Sequence, residues 1–487
     1  MLVTGVVLLL SVPVFGFSVY TAALMLSSLF YRNPKHSDSE SSGLPTLTIL
    51  IATYNDGAVI GETLQSIRLL DYLSDRLQVI VADDSTDDSA SMVDGGVEAL
   101  RKSGLTVSVS RRSDRTGFKA GALNEASRLI TGEYVLTLDS DSRIDSASLA
   151  YGLRSIQGSD LAFVSFRPGH YNREENVITN AYALFQDVGD GIMRMGASRL
   201  GAPFHLSGGQ ALMRRSALEE VGYWHEGTLA EDADLSCRLH ASGFRGKYLA
   251  EAEVINEDPT SLLVWKRQGA RIHQGWAQVL RKDLGLILKS GKLSPPGKLG
   301  LILTLISPYI GLSWIAATLV TAYAIVFGVL DPSASFFTNP VYVGFATLPI
   351  VVFYAAGINS LKLRKSLNVK NLALLPVLSY MLSSMFTLSA IAFAEGLAGK
   401  PGYFFRTPKK GAWTAAVADS QGGGRRGAVL WEASISLLAV AGSIPCMLRG
   451  QYFLGLSLLA FGLATLKSME LSRFVEGGAG KTSPAGG

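Results

Sequence analysis

The sequence predicts an α/β fold: a domain on a mostly parallel sheet, inserted between transmembrane helices and followed by amphipathic interfacial helices. Three observations predict it. From Leu47 to Leu138 short apolar runs alternate with helical patterns, the βαβ signature that gives parallel strands with helices on both faces. Long charge-free stretches stand on both sides of that region, and about 20 apolar residues suffice to cross the hydrocarbon core. Three polar clusters, Tyr54-Asn55, Asp83-Asp84 and Asp139-Ser140-Asp141, each fall just past a predicted strand, where such sheets place their ligands.

Composition narrows the class. Of 487 residues, 48% are hydrophobic and only 17% charged, which is too apolar for an ordinary soluble enzyme. Charged segments interrupt the apolar runs too often for a chain lying wholly in the membrane. The formal net charge of +4 does not point to nucleic acid. Cys237 and Cys446 belong to no CxxC or metal spacing and predict reduced, structural thiols in a reducing cytosol.

Leu2 to Tyr31 carries no charge. It lacks the basic leader and cleavage site of a signal peptide, so residues 1–31 read as a retained transmembrane anchor. Arg32, Lys35 and His36 follow. Positive charge stays on the cytoplasmic side, which puts the N-terminus outside and the domain at 45–255 in the cytosol. Within it, Leu47–Thr53, Leu77–Ala82 and Leu105–Ser110 read as strands, and Ala58–Leu70, Asp87–Lys102 and Ala120–Ile130 as helices. Tyr134–Leu138 is the central strand. A strand at Leu161–Phe166, a helical stretch at Glu174–Arg199, the segment His205-Leu-Ser-Gly-Gly-Gln-Ala, a helix at Glu231–Ser242 and a strand at Lys247–Ala250 complete the domain.

Residues 256–298 are expected to form amphipathic interfacial helices. Leu262, Trp265, Ile272 and Trp276 alternate there with Lys266, Arg267, Arg271 and Arg281, the pattern of a helix lying along a membrane surface. Residues 299–361 carry two charge-free runs, read as two spans, and the basic run Lys362 to Lys370 returns the chain to the cytoplasm. Residues 371–394 are apolar enough to span. A span would, however, carry Lys400, Arg406, Lys409 and Lys410 outside, against the positive-inside bias. Residues 371–426 are therefore read as an interfacial or re-entrant segment kinked near Pro376. Residues 427–470 are read as a closing hairpin of two spans and 471–487 as the tail, Gly-rich and disordered from Glu476 to Gly487.

The central strand ends in two carboxylates one residue apart, Asp139 and Asp141, where the chain turns. A hard cation such as Mg²⁺ or Mn²⁺ takes oxygen ligands of that kind and commonly completes its shell with a substrate's phosphates. Further polar motifs follow one another along the chain: Thr53-Tyr54-Asn55, Val81-Ala82-Asp83-Asp84-Ser85-Thr86-Asp87, Lys119-Ala-Gly-Ala-Leu-Asn124, Asp139-Ser-Asp141, Ala230-Glu231-Asp232 and Gln268-x-x-Arg271.

That order resembles the family-2 inverting glycosyltransferases, whose nucleotide-sugar domain has the Rossmann-like GT-A fold. Within them it looks like the membrane-embedded cellulose, hyaluronan and mannan or glucomannan synthases. The DDSTDD and RTGFKAGAL wording is nearest to the mannan and glucomannan enzymes. Phe404-x-Arg406-Thr407-Pro-Lys409 resembles the gating-loop motif of cellulose synthase, with Arg406 where that motif has Val. The resemblance covers residues 45–410.

The resemblance implies a nucleotide-diphosphate sugar donor, GDP-mannose or UDP-hexose, and a role for each motif. Thr53, Tyr54 and Asn55 would line the nucleotide site. Asp83 or Asp84 would accept hydrogen bonds from the nucleoside, with Asp87 capping the next helix. Lys119 would neutralise the diphosphate, and Asp141, helped by Asp139, would hold Mg²⁺ or Mn²⁺. Asp232, beside Glu231, would be the general base. Gly208 and Gly209 would let backbone approach the acceptor. Gln268 and Arg271, three apart on one helical face, would cap donor and acceptor. Phe404, Arg406, Thr407 and Lys409 would gate the site. The chain departs from the family at Ile272, where a stacking Trp is usual. Trp276, one turn further along the same face, would supply the platform or anchor the helix at the interface.

Three functions follow: transfer of a hexose to a polysaccharide or glycan with a β-linkage, the same chemistry on a polyprenyl phosphate or lipid-linked glycan, or a non-catalytic transporter or scaffold. The complete set of aspartates argues against the third.

Overall fold

The computed structural model describes residues 2–31, 43–329, 340–402, 407, 409 and 426–479. Helix α1 (Leu2–Leu29) leads to strand β1 (Leu47–Thr53). There follow α2 (Gly57–Arg68), β2 (Leu77–Asp83), α3 (Ser89–Lys102), β3 (Thr106–Ser110), α4 (Phe118–Ser127) and β4 (Tyr134–Asp139). Then come β5 (Arg143–Ile144), α5 (Ser146–Ile156), β6 (Leu161–His170), α6 (Val177–Val188) and a π-helical turn at Gly189–Arg194. Helix α7 (Met195–Leu200), β7 (Gln210–Arg214), α8 (Arg215–Val221), α9 (Glu231–Ala241) and β8 (Arg245–Asn256) close the domain.

The strands form one sheet in the order β3-β2-β1-β4-β7-β6-β8-β5. β1 pairs in parallel with β2 and with β4, and β2 with β3. Leu47, Ile49, Leu50 and Ile51 of β1 are wholly buried. A strand covered on both faces reads as an unbroken apolar run rather than an alternating one, and each such side chain contributes about 1.5–3 kcal/mol by burial. Strand β7 lies antiparallel between β4 and β6 and is absent from the sequence reading. Its five residues directly follow Gly208-Gly209, which read as a turn. β6 and β8 pair in parallel but shift register between Phe166 and Arg167. That irregularity interrupts the period-two pattern, so the sequence ended both strands too early.

Two helical layers cover the sheet. Ile60, Leu64 and Ile67 of α2, Val93 and Val97 of α3, and Leu149 and Leu153 of α5 pack on one face. On the other, Ala120 and Leu123 of α4, Met195 of α7, and Leu235 and Leu239 of α9 share a cluster with Leu24 of α1. The apolar N-terminal helix is therefore seated on the domain. Ser27 Oγ donates to the Gly196 carbonyl at 3.1 Å, and a Cβ on Gly196 would strike the α1 backbone at Leu24.

Helix α10 (Leu262–Lys289) starts from an N-cap in which Ser261 accepts a hydrogen bond from the Val264 N–H. It packs against α9 through Ala277, Val279, Leu280 and Ile287. There follow α11 (Pro295–Val326), α12 (Pro340–Leu363), α13 (Val369–Leu397), α14 (Arg426–Leu448) and α15 (Tyr452–Ala479). Three helices among the described residues are long and apolar enough to cross a membrane: Gly5–Leu29, Pro295–Val326 and Val369–Leu397. Shorter apolar stretches, Thr347–Leu363, Ala433–Leu448 and Leu454–Lys467, occupy the other expected spans. Helix α15 continues to Ala479, into what reads as a disordered tail.

Helix α13 stands where an interfacial or re-entrant segment is expected. It is 29 residues long with Pro376 inside it, and its composition alone is that of a span. Its course runs beside α10. Leu374, Leu375 and Leu378 pack with Leu262 and Trp265, and with Ala181 and Leu184 of α6. Further on, Cβ atoms added to Gly269 and Gly396 would meet Met385 and the Gln274 backbone. Both ends of α13 therefore lie against helices that are themselves packed on the domain.

Candidate active site

Strands β1 and β4 are neighbours whose chains leave the sheet toward β2 on one side and β7 on the other. Ala52 and Asp139 are opposite each other at their carboxyl ends. The crevice at such a switch in strand order is where open α/β sheets bind ligands. Here it opens into a cavity of about 710 Å³.

On its β1–β2 side, Thr53 and Tyr54 line the cavity, while Asn55 and Asp83 do not. Asn55 has φ of 54°, a left-handed conformation that Asn tolerates better than most residues. Its N–H donates to Ser85 Oγ at 2.9 Å, and its Oδ1 accepts from the Thr86 N–H at 2.8 Å. Those bonds tie the loops after β1 and β2 together. Asp83 is held by Arg111 at 2.9 Å. Asp84, which does line the cavity, accepts a two-pronged contact from Arg112 at 3.0 and 2.6 Å. The Arg115 guanidinium lies over the Tyr54 ring, 3.2 Å from its centroid. Asp87 accepts from the Ser89 N–H at 2.9 Å and so serves the start of α3 from one residue before its N-cap, Asp88. Sequence reading missed these arginines. Their signal is Arg111-Arg112 and Arg115 immediately past β3, at the same sheet edge as the acidic pair.

The metal-type pair comes next. Asp139 Oδ1 accepts from Lys119 Nζ at 2.6 Å. Burial pushes the Asp139 carboxyl up, but Lys119, with Lys409 and Arg271, outweighs it and holds the carboxyl below its usual range. Burial likewise works against the Lys119 ammonium, yet Asp139 and Glu231 raise its pKa. Asp141 Oδ2 accepts from the Glu257 N–H at 2.9 Å and from Lys409 Nζ at 2.6 Å. Lys409 and Asp141 are 268 residues apart, a pairing that no local pattern reveals. Thr407 also lines the cavity; Phe404 and Arg406 lie outside the described residues.

Among the described residues no group of three or more His, Cys, Asp or Glu side chains could hold a metal ion. Asp139 and Asp141 nevertheless fit one. They are two oxygen donors facing one cavity, each paired with an ammonium, and carboxylates of that kind suit a hard divalent cation.

Glu231 and Asp232 open α9 with no side-chain cap on its N-terminus. Asp232 Oδ2 accepts from the Gly208 N–H at 3.2 Å, and Oδ1 from the Ala233 N–H at 2.8 Å. Burial first, and then neighbouring Glu231, push the Asp232 carboxyl above its usual range; Lys119 pulls it back in part. Glu231 meets Lys119 at 3.3 Å, so this one ammonium joins the two carboxylate groups. Gly208 and Gly209 thread between them. A Cβ at 209 would strike the Asp139 carboxylate, and one at 208 would sit 3.3 Å from both Asp232 Cβ and Lys119 Nζ.

Helix α10 forms the opposite wall with Gln268, Arg271, Ile272 and Trp276. The Trp276 ring lies 6.2 Å from His205 at an interplanar angle of 22°. His205 is a cavity residue the sequence reading left without a role, and burial pushes its pKa down to about 3, keeping it neutral. Beyond these rings the cavity continues between helices, past Phe17 and Tyr20 of α1, Thr304, Ser307 and Pro308 of α11, and Met385 and Phe386 of α13.

Comparison with known proteins adds the following. Residues 134–360 match the family model described as glycosyl transferase family group 2. The chain is 29% identical over 282 residues to a beta-monoglucosyldiacylglycerol synthase of Trichormus variabilis, covering 58% of this chain and 59% of that one. It is 28% identical over 302 residues to glucomannan 4-beta-mannosyltransferase 2 of Arabidopsis thaliana, covering 59% and 57%. It thus spans less than two thirds of the length of these curated relatives. Among solved structures it is similar to the mannosyltransferase PcManGT of Pyrobaculum calidifontis in complex with GDP-Man and Mn²⁺. There the TM-score is 0.54 and the identity 22%, with 74% of this chain and 99% of that one covered. This likeness shows the shared GT-A fold.

Proposed function

We propose, from the match of residues 134–360 to the family model of glycosyl transferase family group 2, that the chain is an inverting membrane hexosyltransferase. It takes a hexose from GDP-mannose or a UDP-hexose and passes it to a glycan acceptor in a β-linkage. The observation that carries this reading is the single cavity into which Asp139, Asp141, Lys119 and Asp232 all open.

The residues divide the work. Tyr54 and Asp84 bound the nucleoside end. Lys119, Arg271 and Lys409 surround the diphosphate with positive charge. Asp139 and Asp141 would hold Mg²⁺ or Mn²⁺, which when bound would neutralise charge on the leaving diphosphate. Asp232 accepts the proton of the acceptor hydroxyl as that oxygen bonds to the anomeric carbon. The carbon–phosphate-oxygen bond breaks in the same step, and its electron pair leaves with the nucleoside diphosphate. One displacement inverts the centre, so an α-linked donor yields a β-product. The raised pKa of Asp232 suits a base, because proton affinity near the working pH favours transfer. Trp276, beside His205, is the acceptor-side platform that Ile272 cannot provide.

A second reading, transfer to a lipid acceptor, is favoured by the continuation of the cavity between α1, α11 and α13. An acceptor whose tail lies among apolar helices can enter by that route. Purified protein given Mn²⁺ and each labelled donor in turn is expected to release nucleoside diphosphate with one of them. Chromatography then separates polymeric product from a single-sugar lipid, and Trp276→Leu is expected to raise the acceptor KM while sparing donor hydrolysis. No release with any nucleotide sugar would sink the proposal.

The proposed topology has the catalytic domain in the cytosol and α13 as a helix lying in the interface beside α10. This rests on the basic segments at both ends of α13 and on the contact of Lys409 with Asp141. Single cysteines near Lys362 and Lys409 are expected to resist an impermeant thiol reagent applied outside intact cells. Labelling at 409 from outside would make α13 a span and separate Lys409 from the site.

A further inference from the structure

A second cavity, of about 750 Å³, lies at the far end of the same strands. Leu161, the first residue of β6, lines it, whereas His170, the last, lines the candidate active site. At about 3.3 Å per residue the two sites are roughly 30 Å apart. β8 repeats the arrangement, with Arg245 and Lys247 at one cavity and Asn256 to Asp258 at the other.

This cavity sits between the ends of two apolar helices. Phe30 and Tyr31, just past α1, form one side, and Lys292 to Ser294, just before α11, form the other. Arg199, Arg245, Lys247 and Lys292 line it, and among the described residues no carboxylate does. Arg245 is taken by Asp160, and Arg199 donates to the Phe30 carbonyl at 3.0 Å. The Lys247 and Lys292 ammoniums make neither an ion pair nor a hydrogen bond among the described residues. Lys247 is half-buried, and burial lowers its pKa although the Glu251 carboxylate offsets this in part, so an anion brought within contact would relieve the remaining cost. The stem of Lys292 runs over Gly243, which has φ of 95° and where a Cβ would lie 3.3 Å from it. Exposed large hydrophobics accompany it: Phe30 lines the cavity, Leu29 and Leu200 are chain neighbours of lining residues, and Leu299 follows Ser294 on α11.

We propose that this cavity is a headgroup site for an anionic phospholipid, whose phosphate is held between Lys247 and Lys292 while its chains lie against the exposed faces of α1 and α11. Basic pockets between membrane helices at the cytoplasmic surface bind such headgroups, and long lysine stems lie along apolar surface while their heads reach the charge. A soluble phosphate would gain nothing from Phe30 or from the exposed apolar side chains on α1 and α11, which is the reason for assigning a lipid.

The test uses the full-length protein in neutral-detergent micelles. The apparent Kd for dioleoyl phosphatidylglycerol is read by thermal-shift titration, with dioleoyl phosphatidylcholine and glycerol 3-phosphate as the other arms. Phosphatidylglycerol is expected to raise Tm saturably, and the other two to leave it unchanged. Each cation near a membrane surface contributes about fivefold, so Lys247→Gln with Lys292→Gln is expected to weaken the apparent Kd about twenty-five-fold. The paired Lys→Arg variant should retain it. An undiminished response in the Gln variant, an equal response to phosphatidylcholine, or an equal response to glycerol 3-phosphate would each overturn the proposal. If the double variant fails to fold, the exposed single change Lys292→Gln decides, with about fivefold expected. None of these readouts is catalytic, so the outcome is independent of the proposed transferase activity.

Discussion

Asp232→Asn is expected to lower turnover by about 10²-fold or more, the usual scale for a positioned general base, while donor binding stays near that of the unsubstituted protein. The amide keeps the size of the carboxylate and one of its two acceptors, but it cannot take the acceptor's proton. The bonds from the Gly208 and Ala233 N–H groups at 3.2 and 2.8 Å show what is retained: Asn satisfies one of them and turns an N–H toward the other. Lys119 keeps Asp139 and Glu231 as partners, so the charge holding the donor is undisturbed. A pH profile sharpens the test. The base works ionised, and burial and Glu231 raise its pKa. Activity of the unsubstituted protein should therefore climb with pH through a value above the ordinary carboxylate pKa of about 3.9, and this limb should vanish in the variant. Stability moves the other way. A carboxyl whose pKa is higher folded than unfolded favours the fold below its unfolded pKa and loses that contribution as pH rises through the folded one. At neutral pH the ionised group is a burden whose removal offsets the one bond the amide loses, so Asp232→Asn should melt close to the parent. Donor affinity lost in step with turnover would assign Asp232 to binding or folding instead.

Asp141→Ala is expected to abolish turnover together with metal-dependent nucleotide binding. The unsubstituted protein should lose activity in EDTA and regain it with Mn²⁺ or Mg²⁺. Removing Asp141 takes away one of only two carboxylates at the end of β4, and a site that draws its other ligands from a diphosphate has no reserve. It also strips Lys409 of its 2.6 Å partner and leaves an ammonium facing the diphosphate pocket. Some metal-independent affinity for nucleotide should therefore survive, and isothermal titration with and without Mn²⁺ separates the two contributions. Asp141→Asn, which keeps an acceptor for the Glu257 N–H at 2.9 Å, should lose the metal dependence without loss of Tm. Full activity of the purified protein in chelator would remove the assignment of Asp139 and Asp141.

The parts of the fold legible in the chain were those whose local pattern matches their burial. β1 is one apolar run because both its faces are covered, and the polar residues after β1, β2 and β4 stand out because a parallel sheet brings strand ends to one edge. β7 was not legible, because pairing with β4 and β6 comes from distant segments and five residues after a Gly pair carry no period of their own. The arginines that take Asp83 and Asp84 are visible as residues but not as partners.

Residue order therefore determined the α/β class, the apolar helices around the domain, and which acids and bases stand at strand ends and helix starts. Those features follow from hydrophobic period and chain reversal, which act over a few residues. Tertiary structure alone decided that Lys119 joins Asp139 to Glu231, that Lys409 reaches Asp141 across 268 positions, and that α13 lies along α10. A span and an interfacial helix can share one composition, and a cation has the same identity wherever it lies. Which neighbour each one meets depends on how the layers pack, since burial strengthens the attraction between opposite charges only once packing has excluded water between them.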